Sequence, residues 1–395
     1  MIAKILPLVS YFRMSFKAID LFSGAGGFSL AALELNIKIL SAIEFDKHAC
    51  DTYKMNIIDK QKEPCLLLNN DIMDIDPIAM MSGLGLLEGE LDIIIGGPPC
   101  QGFSSHRIKN SGVNDPRNNL LIRYFDFVSV YKPKLFLVEN VPGLLWARHQ
   151  SYLNDFKSLA NKNNYQLIGP LKLNAKDYGV PQNRSRVFIL GVRSDINFNP
   201  EIWPPKPTHF EKQQPYWLNA SSVFEKPSKE ILKSIEDVLG SDVVADLKFN
   251  EHQYDVNDPL QTTMKHSESM VDRFAITPIN GGRYDIDFRL PCHSHNYRGH
   301  SDVYGRIRLA QPGPTITTGC FNPSKGRFLH PWRNHGITLR HAARFQTFPD
   351  GFIFVGGIIS QGKQIGNAVP VLMGKALLSS CLDILKANGY RSYAE

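Results

Sequence analysis

Short apolar runs of strand length alternate with helix-length patterns through the first half of the chain, and the runs stop at glycine, proline or polar residues. Lys17 to Phe22, Ile37 to Ile43, Pro64 to Leu68, Leu91 to Ile95, Lys134 to Val138 and Arg186 to Val192 read as strands. Gly27 to Leu35, Lys47 to Ile57 and Asn118 to Tyr131 read as helices between them. Strands this apolar on both faces need cover on both, which the intervening helices supply in a doubly wound α/β sheet of parallel strands. Ligands bind such sheets beyond the carboxyl ends of the strands. The polar residues that end the apolar runs are therefore the candidate site.

A chain of 395 residues, 43% of them hydrophobic, can bury a sizeable core. Its six cysteines are scattered without close pairs, so neither a disulfide framework nor a CxxC zinc site is suggested, and a reducing, cytoplasmic compartment is expected. Met1 to Arg13 is apolar in part but is broken by Pro7 and lacks a cleavage site, so it reads as a loose extension with Met14 as a candidate natural start. No later run is read as approaching the roughly 20 residues that span a bilayer. The formal charge of +6 is compatible with a polyanionic partner, but its placement matters more than its size.

After Asp195 the texture changes: Pro200, Pro204, Pro205 and Pro207 cluster, and periodicity fades until about Ile337. Helical patterning returns from Thr338, with Val369 to Ala387 as one helix. The expected division is an extension over 1–13, a cofactor-binding and catalytic domain over 14–195, a smaller irregular domain over 196–336, and a returning segment over 337–395. The irregular domain carries Arg283, Arg289, Arg298, Arg306, Arg308, Lys325, Arg327 and Arg333 against Asp285, Asp287 and Asp302. Such a stretch suits a phosphate backbone, and a solvated arginine-rich face is the alternative. Cys292, His293 and His295 fit no standard metal spacing, and no metal is expected.

The first strand runs through Asp20 and Phe22 into Ser23, Gly24, Ala25, Gly26 and Gly27, then a helix, an arrangement that brings backbone N–H groups close to a ligand. A nicotinamide fingerprint would need glycine where Ser29 stands. Asp20 would repel a pyrophosphate but suits a cationic or amino-acid-like ligand end, which favours S-adenosylmethionine. Glu44 closes the second strand, where an acid can hold ribose hydroxyls, and Asp71 with Ile72 follows the third, placed for an adenine ring. Each acid alone would also serve as a helix cap. Three at successive strand ends form a pattern.

Ile93 to Ile95 ends in Gly96, Gly97, Pro98, Pro99 and Cys100, so a thiol stands on a rigid turn at a carboxyl end, where reactive rather than packing cysteines are expected. A lone cysteine is otherwise most often an inert core residue. Glu139 ends the next strand in Val-Glu-Asn-Val, and Gln182, Arg184 and Arg186 put three polar side chains on one face before the last strand. Glu139 and Arg184 as a plain ion pair is one reading; Arg184 structural with Arg186 catalytic is the one favoured here.

Taken together these segments resemble the cytosine-carbon-5 DNA methyltransferase family along nearly the whole chain outside the basic middle region. Asp20 to Gly27, Glu44, Asp71, Gly96 to Ser104, Asp115 to Leu120, Val138 to Val141, Gln182 to Arg186, Arg340 to Pro349 and Gly362 to Pro370 stand in family order. Asn70 departs from a usual glycine, a swap that asparagine tolerates at positive φ, and Leu339 and His341 depart from a usual proline and glutamate.

The resemblance implies a Rossmann-like methyltransferase sheet using S-adenosylmethionine and releasing S-adenosylhomocysteine. Phe22, Glu44, Phe45, Asp71, Ile72, Gly97, Pro98, Leu120, Asn367 and Val369 would join the cofactor loop in the pocket, and the C-terminal helix would return beside the first strand. Cys100 would add to carbon 6 of a cytosine, because carbon 5 alone is too weak a nucleophile for a methyl sulfonium. Glu139 would donate to ring nitrogen 3 and Arg186 would hold the ring carbonyl, with Arg184 and Gln182 beside them. The middle region would read double-stranded DNA with contacts such as Arg298, Arg306, Arg308 and Arg327, while Gln101, Ser104 and Ser105 close over a flipped base. A monomer in a restriction system, with a cognate endonuclease as an unbound partner, completes the expectation.

Three rivals are weaker. An RNA methyltransferase on this scaffold would lack the roughly 140 residues available for groove reading. A nicotinamide oxidoreductase conflicts with Ser29 and leaves Cys100, Glu139 and Arg186 unexplained, and an inactive DNA-binding protein would be expected to have lost one of those three.

Overall fold

A computed structural model of the chain describes residues 15–61, 64–99, 119–252, 255–287 and 302–390. Five parallel strands form its centre: β1 (Lys17–Leu21), β2 (Lys38–Ile43), β3 (Leu66–Leu68), β4 (Ile93–Gly96) and β5 (Leu135–Asn140). β4 and β5 are buried along their whole length, as apolar sequence on both faces requires. Helices α1 (Gly27–Glu34), α2 (Lys47–Tyr53), α3 (Pro77–Gly83) and α4 (Asn119–Tyr131) connect them. After β5 come α5 (Gln150–Lys162), β6 (Tyr165–Asn174) and β7 (Ser185–Arg193).

The sheet order is β3-β2-β1-β4-β5-β7-β6, with β7 antiparallel to β5 and β6 antiparallel to β7. The expected α/β sheet is present, but it is mixed rather than wholly parallel. The reason is the short link over residues 175–184, which has no crossover helix and can join only antiparallel neighbours. The consequence for the site is large: β7 starts where the parallel strands end.

Two apolar layers enclose the sheet. On one face Ala18, Ile93, Ile95, Leu137 and Phe188 pack with α1 and with α11 (Val371–Ala387). On the other, Ile94, Phe136 and Val138 pack with Tyr124, Phe125 and Phe156. The C-terminal helix returns as expected, resting on α1, where a Cβ on Gly374 would lie 2.9 Å from Ala31. The apolar stretch there is longer than the sequence reading allowed: Ile358–Ala387 has the length and mean hydropathy of a membrane span. It is divided by Pro370 into α10 (Ile358–Asn367) and α11, and 72% of its most apolar window is buried inside the protein.

The middle region holds α6 (Lys229–Leu239), α7 (Ser241–Ala245) and α8 (Glu268–Ile276), joined by loops and isolated bridges, before α9 (Leu339–Phe345). Trp203, Phe224, Leu260 and Ile307 belong to the same apolar cluster as Ala18 and Phe188. The irregular region thus shares a core with one face of the sheet.

Candidate active site

The antiparallel β7 decides the geometry. Its register opposes Glu139 with Phe188 and Asn140 with Val187, so Arg186, near the start of β7, comes alongside the end of β5. Arg186 Nε lies 2.9 Å from Glu139 Oε1, and both side chains are largely buried. β5 runs on to Asn140, so Glu139 is held within the strand rather than just after it. Burial pushes the Glu139 carboxyl above its ordinary range, outweighing the charges of Arg186 and Arg184, and burial also lowers the Arg186 pKa. A carboxyl kept protonated in a dry place can act as a hydrogen-bond donor.

Glu139 Oε2 lies 3.1 Å from where a Cβ on Gly97 would stand, so the carboxyl faces the turn after β4. Asn140 Nδ2 donates to Pro98 O at 3.5 Å, and Asn140 Oδ1 accepts from Val141 N at 2.8 Å. The sequence reading gave Asn140 no role; its position inside Val-Glu-Asn-Val was the available signal. Cys100, Gln101, Ser104 and Ser105 lie outside the described residues, as does Arg298.

Gln182 and Arg184 hydrogen-bond to backbone and to Gln346. The Arg184 guanidinium donates to Ile316 O at 2.8 Å, Gly366 O at 2.9 Å and Ala368 O at 3.0 Å, and the residue is 1% exposed. Gln182 Nε2 donates to Phe345 O and Gln346 Oε1, and its Oε1 accepts from Ile316 N. They stitch the approach to β7 to the middle region and to the end of α10, which for Arg184 agrees with the structural role favoured from the sequence. The Glu139–Arg184 ion pair does not form; Glu139 pairs with Arg186. Backbone carbonyls near Ile316 and Gly366 have no strand partner, and a guanidinium supplies the missing donors.

The cofactor loop follows β1 directly. Phe22 has φ 61° and Gly26 φ 92°, a left-handed path that is strained for phenylalanine and open to glycine. Gly24 N donates to Glu44 Oε2 at 2.9 Å, and Asp46 N to Glu44 Oε1 at 2.7 Å, which fixes the carboxyl beside the loop. The Ser23 hydroxyl is buried without a hydrogen-bond partner among the described residues. A Cβ on Gly27 would stand 2.5 Å from Val369 O, so glycine lets the end of α10 close against the loop. Asn367 is exposed and Val369 buried at this junction.

Asp20 is anchored beneath the loop. It is 1% exposed and accepts from Ser29 Oγ at 2.6 Å, and Ser29 in turn accepts from Tyr53 Oη at 2.7 Å. Ser29, the residue that broke the nicotinamide pattern, is thus the partner of Asp20 beneath the loop. Burial raises the Asp20 pKa to about 7. Asp71 accepts from Met73 N at 3.0 Å as the cap of a short helical turn, and Ile72 is buried. Leu120 is half-buried against the α4 side, and Phe45 is 74% exposed beside Glu44. Asn70 is not at positive φ, so its tolerance of that conformation explains nothing.

Among the described residues of the basic middle stretch, Arg283 and Arg306 are buried and Arg327 and Arg333 are half-buried. Arg306 is 3% exposed and donates to Phe274 O, Thr277 O, His330 O, Arg333 O and Asn334 Oδ1. Arg327 pairs with Asp302 at 3.2 Å and donates to Gly281 O and Arg306 O. Both were expected on DNA; their guanidinium groups instead satisfy carbonyls of irregular backbone. Arg308 and Lys325 remain exposed. Among the described residues, no group of His, Cys, Asp and Glu could hold a metal ion.

The family model for C-5 cytosine-specific DNA methylases matches residues 16–383. The chain is 33% identical over 380 residues to the Type II methyltransferase M.DdeI of Desulfomicrobium norvegicum, covering 91% of this chain and 86% of that one. It is 31% identical to M1.HphI of Haemophilus parahaemolyticus, over 95% of this chain and 88% of that protein. Among solved structures, the fold resembles the Entamoeba histolytica methyltransferase EhMeth with a TM-score of 0.60 at 14% identity, over 94% and 99% of the two chains. With the sheet order, the buried Glu139–Arg186 pair and these matches in place, the chain belongs to the C-5 cytosine-specific DNA methylase family.

Proposed function

We propose that this enzyme methylates carbon 5 of a cytosine flipped out of a short duplex sequence, with Cys100 as nucleophile and S-adenosylmethionine as donor, within a restriction-modification system. The observation that carries the reading is the buried Glu139–Arg186 pair, which faces the turn leading to Cys100. The names of the relatives, Type II methyltransferases, support the restriction role.

The pocket fits the donor. The unpartnered Ser23 hydroxyl, the strained Phe22 backbone and the anchored Glu44 carboxylate offer polar and apolar contacts around one loop. Asp71, Ile72, Leu120, Asn367 and Val369 would complete the wall, with Asp20 holding the loop from below through Ser29. When bound, S-adenosylmethionine supplies an electrophilic methyl group and leaves as S-adenosylhomocysteine.

The residues prepare the acceptor. The Cys100 thiolate adds to carbon 6, and the electron pair of the 5,6 double bond moves to carbon 5 and into the ring. The protonated Glu139 donates to ring nitrogen 3, and Arg186, held by Glu139, takes the carbonyl oxygen, so negative charge never builds up unpaired. Once carbon 5 carries the methyl group, a base takes its proton, the electron pair left behind re-forms the 5,6 double bond as the thiolate is expelled, and the proton on ring nitrogen 3 returns to Glu139. We further propose that the protein works as a monomer, with exposed cations such as Arg308 on DNA, and that an endonuclease acts on the same sequence without a stable complex.

DNA carrying 5-fluorocytosine tests the mechanism, because fluorine cannot leave as a proton does. The cofactor-loaded protein should form an adduct that survives denaturation. No adduct with active protein, or methylation retained by Cys100→Ala, would refute the role of Cys100.

A further inference from the structure

The backbone leaving Glu139 does not return to the interior at once. After β5 and the short turn Pro142–Leu145, four successive residues are exposed: Leu145, Trp146, Ala147 and Arg148. An exposed tryptophan beside a catalytic strand end is unusual enough to ask what covers it. Its neighbour is equally telling. The Arg148 guanidinium lies over the Trp146 ring, 4.6 Å from its centroid, and Arg148 Nε donates to His149 Nε2 at 3.0 Å.

His149 is 1% exposed, and burial together with the Arg148 charge holds its pKa below the ordinary range, so it accepts as a neutral ring. The Trp146 and His149 rings are stacked, with 25° between their planes. A surface arginine normally keeps its rotamer freedom or pairs with an acid. Arg148 does neither: it is clamped by two rings, and among the described residues no carboxylate lies within ion-pair distance and its two Nη groups have no partner. A cation fixed in advance, with one edge of its fork open, is suited to an anion from outside. The pair follows Glu139 in the chain after one short turn, and a DNA substrate is the polyanion that the functional reading brings to the protein.

We infer that Trp146 and Arg148 form a clamp on the DNA backbone, in which Arg148 holds a phosphate near the target cytosine and Trp146 packs on the adjoining sugar. The inference rests on the functional reading above, and it adds a phosphate grip after β5 to the exposed cations of the middle region. Such a contact positions the duplex without reading its sequence.

The test is duplex binding by the full-length protein across a salt series, comparing wild type with Arg148→Ala, Arg148→Lys and Trp146→Ala. Arg148→Ala should weaken affinity about tenfold and lower the log–log salt slope by about 1, to the same degree on target and unrelated sequences. Its KM for DNA should rise more than its kcat falls. Arg148→Lys should restore the slope and part of the affinity, and Trp146→Ala should lose affinity with the slope kept. If Arg148→Ala melts at a lower temperature but keeps the wild-type slope and affinity, the cluster only supports the fold and the clamp is wrong. A wild-type protein without affinity for duplex DNA would overturn the functional reading itself.

Discussion

Two buried glutamates in this protein face arginines, and their acidities are shifted in opposite directions. Glu139, near the carboxyl end of β5, has Arg186 at 2.9 Å and turns its other oxygen to Gly97. Burial wins there, and the carboxyl sits above its ordinary range. Glu225, between the middle region and α9, receives Arg344 Nη1 at 2.7 Å, pairs with His341 Nε2 at 3.1 Å and is met by Gln261 Nε2 at 3.4 Å. Burial pushes Glu225 up too, but the hydrogen bond and charge of His341 and the bond from Arg344 outweigh it and hold the carboxyl low. The residue type is the same; the number of donors differs. A buried carboxyl with few donors holds its proton more tightly, and one given enough donors is held as a carboxylate and becomes a joint of the fold.

The sharpest way to break that contrast is turnover. Glu139→Gln keeps the shape and removes the proton donor with its tuned acidity, so kcat/KM should fall by about 10² to 10⁴. Glu225→Gln should leave turnover per folded molecule close to wild type. Comparable activity in Glu139→Gln and wild type, measured by transfer of labelled methyl groups, would remove Glu139 from the chemistry.

Stability should show the reverse order. Glu225→Gln turns an amide toward His341 and Arg344 and strands buried donors, costing about 3 kcal/mol in urea unfolding. Glu139→Gln removes a carboxyl that burial already disfavours as a charge, so its cost should be much smaller. Equal costs would mean that the two pairs are built alike.

The slopes with pH should also oppose. The folded pKa of Glu139 is raised, so its contribution to stability is present at low pH and is lost as pH climbs from the ordinary carboxylate range through the raised value. For Glu225 the folded pKa is depressed, so its contribution is present above the ordinary range and is lost as pH falls. A tenfold difference in proton affinity between the folded and unfolded chain is worth roughly 1.4 kcal/mol. The difference between wild type and each Gln variant, followed by unfolding from acid to neutral pH, should therefore change in opposite directions. Parallel slopes would sink the opposite shifts of the two carboxyls.

What could be foreseen follows the same division between residue type and surroundings. β1, β4 and β5 were legible because central strands are apolar on both faces. β6 was not, because it is a half-exposed edge strand whose pattern slips between Ile168 and Leu171, around Gly169 and Pro170. The pairing of Glu139 with Arg186 rather than Arg184 depended on the direction of β7, which no local pattern encodes. Arg306 and Arg327 looked like a DNA surface because a count of charges carries no record of the carbonyls that absorb them. Asp20 was correctly placed at the loop, yet its partner Ser29 lies on α1, across the turn from it.

That Asp20 pair sets the smallest and finest test, since it is a third buried carboxyl with one neutral donor. Ser29 Oγ donates at 2.6 Å and Tyr53 Oη donates to Ser29 at 2.7 Å, so the chain of hydroxyls ends on a carboxyl with a pKa of about 7. The raised value means that the folded protein holds this proton more tightly than the unfolded chain, and stability linked to it drains away as pH rises from the ordinary range toward 7. Ser29→Ala removes the interaction that favours the charged form and leaves the Tyr53 hydroxyl without its acceptor. It should cost about 1 kcal/mol below pH 6, and more above pH 7, where an ionised Asp20 would lack even that single donor. If the cost is the same at both pH values, Asp20 stays protonated throughout, and donor number does not govern this third carboxyl as it does Glu139 and Glu225.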